Sequence, residues 1–248
     1  MNRPRIIIIG GSSAIAEHCA RLWLQTPSEL LLVGRDSAKL SRVAQDLEVR
    51  SPNSTIACEQ LDFDDAEAME VLLGEYTRSD PIDIALIAHG SLPDQARCQQ
   101  NPALSRAALA INGISPALFM EAIAGRMEAA GRGRVVVIGS VAGDRGRKSN
   151  YVYGAAKGML ERYAQGMQHR LAGTGVSVSL VKPGPTRTPM TADLDNVGGG
   201  LAAVEDVAAA IVSGVTRGKP VIYAPGKWFF IMMVIRHLPR FVFNRMDI

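Results

Sequence analysis

Seven apolar runs recur along the chain, at 5–9, 30–33, 56–61, 82–88, 135–138, 176–181 and 221–223, none longer than seven residues. Runs this short, rich in Ile, Val and Leu and closed by Gly or Asp, predict strands rather than helices. Between them, apolar residues return at helical spacing: after the turn that follows the first run, across 37–47, across 102–125, and from Glu205-Asp206-Val207 onward. Alternating strand and helix predicts an α/β chain whose seven strands form a doubly wound parallel sheet, with ligands at its carboxyl edge. Residues 1–226 account for this pattern, and an apolar and basic tail, 227–248, follows.

Three places in the pattern carry chemistry. The first run ends in Gly10-Gly11-Ser12-Ser13-Ala14-Ile15-Ala16, which reads as strand, tight turn and helix. Backbone amides at such a helix start, with the hydroxyls of Ser12 and Ser13, hold a pyrophosphate; an ordinary strand-to-helix turn is the competing reading. The second run ends in Gly34-Arg35-Asp36, where a dinucleotide's 2′ substituent is expected. A carboxylate there suits NAD, whereas the Arg35 guanidinium pairs with a 2′-phosphate, so NADP (NADPH) is expected over NAD. Asp36 suits the N-cap of the helix that begins at Ser37.

The third place is the end of the fifth run, Gly139-Ser140, followed by Tyr153-Gly-Ala-Ala-Lys157. Residues four apart on a helix share a face, so Tyr153 and Lys157 stack together. An ammonium beside a phenol favours the phenolate and is expected to lower the tyrosine pKa toward neutrality. The combination is a proton donor for a carbonyl. His89, at the end of the fourth run, reads as a polar group lining the cleft rather than as a second acid or base.

Composition narrows the class. The 248 residues are 47% hydrophobic and 21% charged, which suits one α/β domain with a sizeable core. A net charge of +3, with its cations dispersed, argues against a nucleic-acid surface. Cys19, Cys58 and Cys98 are odd in number, lack metal-ligand spacing, and fall in segments that read as helix, strand and loop. Reduced, non-catalytic thiols and no metal site are expected. The first apolar run begins within five residues of the start, too early for a secretory signal, so a cytoplasmic location is expected.

With Ser140, Tyr153, Lys157, the turn at Gly10 and Asn112 in one chain, nearly the whole sequence resembles the short-chain dehydrogenase/reductase family, which has a Rossmann-type fold. The resemblance implies an NAD(P)H-dependent ketoreductase. It implies Tyr153 as the catalytic acid/base, Ser140 as the hydroxyl polarising the substrate carbonyl, Lys157 as partner of the nicotinamide ribose, and Asn112 as a proton-relay residue acting through a water. For the cofactor it implies Gly10, Ser12, Ser13 and Ile15 at the pyrophosphate turn, Asp62 at the adenine amino group, and Gly90 beside the dinucleotide. Pro183 and Gly184 would lie under the nicotinamide, Thr188 at its amide or phosphate, and 198–200 in a mobile substrate loop. The chain departs from the family at Ala14 and Ala16, where glycines are usual, and keeps only Gly90 of the usual Asn-Asn-Ala-Gly.

The tail is expected to behave differently from the rest. A spanning helix needs about 20 apolar residues, and this run breaks at Arg236 and again at Pro239. Aromatic and aliphatic residues interleaved with Lys227, Arg236, Arg240 and Arg245 predict an interfacial segment on an anionic membrane. A subunit interface or a cover for the core is the alternative. The pieces Arg-x-Arg-Lys-Ser-Asn-Tyr-Val-Tyr-Gly and Met-Met-Val-Ile-Arg-His-Leu-Pro-Arg resemble the family's reductase branch associated with decaprenylphosphoryl-ribose 2′-epimerase. That resemblance implies a polyprenyl-linked keto-sugar as substrate, peripheral contact of 227–248 with the inner face of the membrane, and a phosphate received by Arg145, Arg147, Lys148 and Arg187. A homo-oligomer is expected. Two alternatives stand beside this: a soluble ketone or 3-ketoacyl reductase whose tail builds a dimer, and a catalytically silent cofactor-binding protein.

Overall fold

The isoleucines of β1 (Arg5–Ile9) divide between two cores: Ile7 and Ile9 join one buried cluster, Ile6 and Ile8 the other. Successive strand side chains point to opposite faces, so an unbroken apolar run means a sheet covered on both sides. The computed structural model describes residues 3–192 and 200–246. Its seven strands are β1, β2 (Glu29–Gly34), β3 (Thr55–Gln60), β4 (Ile84–Ile87), β5 (Gly133–Ile138), β6 (Val176–Pro183) and β7 (Val221–Ala224). They pair in parallel in the order β3-β2-β1-β4-β5-β6-β7. One face is covered by α1 (Ala14–Trp23), α2 (Ser37–Arg50) and α8 (Val204–Thr216), the other by α3 (Ala66–Tyr76), α6 (Ser115–Ala129) and α7 (Tyr151–Arg170). Strand order reverses between β1 and β4, and a crevice opens at their carboxyl ends.

Two segments differ from the sequence expectation. The helix expected across 102–125 is α5 (Pro102–Leu109) and α6 joined by a wider π turn, Ala110–Ile114. Pro116 supplies the reason: it has no N–H for the carbonyl four residues back, that of Asn112, and its ring crowds that carbonyl. The whole stretch Pro102–Ala129 is long and apolar enough by composition to cross a membrane, but more than half of its most apolar window is buried in the fold, as a core helix requires. Cys98, expected in a loop, lies buried on α4 (Gln95–Gln100), whose N-cap Asp94 accepts from Arg97 N at 3.0 Å. Asp36 caps α2 as expected, accepting from Lys39 N at 3.0 Å. Gly198 and Gly199 lie outside the described residues. The tail folds as α9 (Lys227–His237) and α10 (Arg240–Phe243).

Candidate active site

A cavity of about 430 Å³ occupies the crevice, and every residue expected at the catalytic centre or the dinucleotide lines it except Asp62. At its β1 end, Ser13 sits at the N-cap of α1 without a side-chain bond to the helix, so its hydroxyl is not used for capping. Gly10 is required by close approach: its φ is +91°, and a Cβ there would lie 2.6 Å from His89 N. Ala14 lines the cavity, whereas Ala16 is fully buried between α1 and the sheet, where its methyl packs in the core. Next to it, the Arg35 guanidinium stands 5.9 Å over the Phe63 ring. Lys39 also lines this end, paired with Asp36 at 3.2 Å; backbone and side-chain bonds from Lys39 hold the Asp36 carboxyl below its usual pKa. These residues fit a dinucleotide: a glycine cradle, an open helix N-terminus, and two cations, Arg35 and Lys39, at the end of β2 and the start of α2.

Asp62 is the exception. It is exposed beyond β3, off the cavity wall, and its Oδ1 accepts from Asp64 N at 3.2 Å in a local turn. Phe63, the next residue, faces the cavity instead. Neither Phe63 nor Lys39 was singled out from sequence; Lys39's place one turn into α2, beside Arg35, was the available signal.

At the β5 end, Ser140 begins a short 3₁₀ turn, Val141–Gly143, with its Oγ accepting from Ala142 N at 3.1 Å. Tyr153, in the first turn of α7, lines the cavity with Ser140. Burial pushes the Tyr153 phenol up to about 12, and the Ser140 hydroxyl opposes this only in part. Lys157 Nζ lies 5.7 Å from the Tyr153 ring centroid and donates to Ile138 O at 2.8 Å; burial pulls its pKa down to about 8. The expected lowering of the tyrosine pKa by Lys157 is therefore overturned. Desolvation dominates, and the ammonium is anchored on a strand-end carbonyl rather than on the phenol. A phenol kept protonated at neutral pH is suited to giving its proton to a carbonyl oxygen.

Asn112 is fully buried in the π turn, and its amide is satisfied by backbone: Oδ1 accepts from Ser91 N at 2.9 Å and Nδ2 donates to Ala108 O at 2.9 Å. Gly90 allows that approach, since a Cβ there would lie 2.7 Å from Asn112 Oδ1. The amide thus fixes the 90–91 turn beside the cavity. Pro183, Gly184 and Thr188 close the opposite wall. His89 is buried, with Phe63 at 4.3 Å and Phe119 at 5.5 Å between ring centroids. Its Nε2 lies 2.9 Å from Ser115 Oγ, which spends its own proton on Phe63 O at 2.8 Å, so the imidazole donates there. Burial, then Lys157 and Arg35, hold its pKa down at about 3 and keep it neutral, as a lining group.

Of the four cations expected to receive a substrate phosphate, Arg145, Arg147, Lys148 and Arg187, Arg147 lines the cavity and the other three lie off its wall. Arg145 donates to Leu238 O at 2.8 Å and to Ile235 O, and its guanidinium covers the Phe243 ring at 3.7 Å. Arg147 lines the cavity, with Nη2 3.5 Å from Met232 Sδ, and burial lowers its pKa. Lys148 and Arg187 are exposed. The tail packs back on the domain: Met232 is fully buried, the Trp228 indole lies against Gly184, and Phe229 meets Tyr223 edge-on at 5.6 Å. Its outer face remains open, with Phe230 at 70%, Val234 at 63% and Phe241 at 68% exposure.

The profile of the family described as short chain dehydrogenase matches residues 4–197. An uncharacterized oxidoreductase of Mycobacterium tuberculosis is 33% identical over 242 residues, 97% of this chain and 96% of the relative. Galactitol 2-dehydrogenase (L-tagatose-forming) of Cereibacter sphaeroides is 27% identical over 186 residues, 74% of this chain and 72% of that one. Among solved structures, a short-chain dehydrogenase from Sphingobium yanoikuyae in complex with NADPH superposes with a TM-score of 0.80 at 25% identity, covering 96% and 97% of the two chains. A short-chain dehydrogenase/reductase from Burkholderia phymatum in complex with NAD reaches 0.86 at 16% identity, over 100% and 98%, and shares the fold.

Proposed function

The chain belongs to the short chain dehydrogenase family of oxidoreductases, and from that premise we propose that it reduces a ketone with NADPH, the ketone being that of a lipid-linked keto-sugar. The observation that carries the reading is the cavity itself, with Ser140, Tyr153 and Lys157 at one end and Arg35 and Lys39 at the other. Structural neighbours carry NADPH or NAD, so the cofactor preference rests on those two cations, whose chemistry suits a 2′-phosphate.

A bound nicotinamide supplies a hydride to the carbonyl carbon. Ser140 Oγ donates a hydrogen bond to the carbonyl oxygen, and the protonated Tyr153 passes its proton to that oxygen as it becomes an alcohol. Lys157, charged below about pH 8 and anchored on Ile138 O, would turn its remaining N–H donors to the nicotinamide ribose. Gly184, Pro183 and Trp228 wall off water from this end of the site.

A polyol substrate is supported by the likeness to galactitol 2-dehydrogenase. A lipid anchor is supported by the open face of α9 and α10, since Phe230, Val234 and Phe241 point outward beside Lys227, Arg236, Arg240 and Arg245, with no acidic residue from 227 to 246. On this reading the protein works at the inner face of the membrane, with 227–248 as a contact segment. The burial of Met232 and the seat of Trp228 on Gly184 favour a second reading, a soluble ketone reductase whose tail is a fixed wall or a dimer contact. Titration with NADPH and NADH, followed by free and polyprenyl-phosphate-linked keto-sugars, separates them. Tighter NADPH binding and turnover of the linked sugar are expected; turnover of simple ketones alone would install the second reading.

A further inference from the structure

Lys182 stands at the end of β6, immediately before Pro183 and Gly184 of the cavity wall, with only 3% of its side chain exposed. Its ammonium is bonded to two carboxylates. One is Asp144, four residues after Ser140 and fully buried; the other is Glu161, at 2.8 Å, 9% exposed, one helical turn after Lys157. Tyr223 OH on β7 donates to the second oxygen of Asp144 at 3.0 Å. Desolvation works against the charge on Lys182, but the bonds to Asp144 and Glu161 outweigh it and raise its pKa.

Burying three charges is costly, and replacing such a group by apolar side chains is often neutral or stabilising, so stability alone is a weak account of it. Its placement suggests another. Asp144 anchors the short segment that carries Ser140, and Glu161 anchors the helix that carries Tyr153 and Lys157. The two catalytic hydroxyls come from elements separated in sequence, and each element is tied to the same Nζ. We propose that Lys182 is a positioning residue, whose bonds to Asp144 and Glu161 fix the place of Ser140 relative to Tyr153 in the cavity wall. The proposal rests on the reductase reading for its effect on rate, and stands apart from it in its effect on geometry. Nothing in the sequence pattern marks Lys182, because its partners lie 38 and 21 positions away.

The test compares Glu161→Ala, Glu161→Gln and Tyr223→Phe with the wild-type protein. Glu161→Ala frees α7 while leaving the Lys182 to Asp144 pair; kcat for ketone reduction should fall about 10- to 100-fold, the size of effect that a misplacement near 1 Å produces. The ketone KM and the NADPH Kd should stay within about twofold. Glu161→Gln keeps an acceptor for Nζ and should recover most of the rate. Tyr223→Phe, which strands no charge, should lower kcat a few-fold and decides the question if Glu161→Ala does not fold. Crystal structures read the geometry without turnover: the separation of Ser140 Oγ and Tyr153 OH should increase in Glu161→Ala relative to the wild-type protein and match it in Glu161→Gln. Wild-type kcat with an unchanged Ser140 to Tyr153 separation in the folded variants overturns the proposal. A wild-type protein that reduces no ketone overturns the reductase reading instead, and the crystal structures still judge Lys182.

Discussion

Arg145 donates to the carbonyl of Leu238 at 2.8 Å across 93 positions of sequence, tying the last turn of α9 to the segment that begins at Ser140. Helix ends leave carbonyls without partners, and a cation there satisfies them and opposes the dipole. The tail is thereby held in place on one side and open to solvent on the other. Arg145→Met should destabilise the fold by roughly 1–3 kcal/mol, read as a shifted denaturant midpoint.

The open side makes a separate prediction. Phe230→Glu with Val234→Glu changes only exposed positions, so folding and reduction of a short soluble ketone should persist. Sedimentation with anionic vesicles should show wild-type binding that weakens with salt and is lost in the double variant. Wild-type protein that ignores vesicles while changing oligomeric state on tail truncation would make the tail an interface.

Arg35 and Lys39 flank one end of the cavity. Arg35→Ala should weaken NADPH by roughly 1.5–3 kcal/mol, about 10- to 150-fold in Kd, with little effect on NADH. Equal losses for both, measured by fluorescence titration, would remove the 2′-phosphate contact from the account.

His89 makes the fold sensitive to acid. Its folded pKa of about 3 lies below the 6.5 of a free imidazole, so the unfolded chain binds a proton that the native state refuses between those values. Stability from this group is complete above pH 6.5 and is lost as pH falls toward 3, by up to about 5 kcal/mol. His89→Gln keeps a donor toward Ser115 and does not titrate. The difference between the two denaturation curves should widen from pH 7 to pH 4; parallel curves would contradict the buried neutral imidazole.

The sheet was legible because both its faces are covered: runs such as Ile6 to Ile9 have no polar interruption, and period and length decide them. The cleft was legible because its residues cluster at strand ends, where Gly10, Ser140 and Pro183 stand beside turns. The sequence misled where three-dimensional context sets an energy. Four-residue spacing put Lys157 beside Tyr153, but not how far each loses water in the cavity wall, and desolvation reversed the expected pKa shift. Arg145 read as an available cation because the carbonyls it serves lie 90 and 93 positions later. Asp62 read as a cofactor contact by resemblance; it lies off the cavity wall, in a local turn with Asp64 N that no sequence pattern announced.

The central claim is that Tyr153, protonated and lining the cavity with Ser140, gives the proton in carbonyl reduction. Tyr153→Phe deletes that proton and leaves the ring, Lys157 and the rest of the cofactor wall. NADPH consumption with a keto-sugar, measured at saturating cofactor for wild-type and variant side by side, tests it most directly. The account predicts wild-type turnover, loss of turnover by about 10³-fold or more in Tyr153→Phe, and NADPH affinity unchanged within about twofold. Turnover by Tyr153→Phe at the wild-type rate would contradict it.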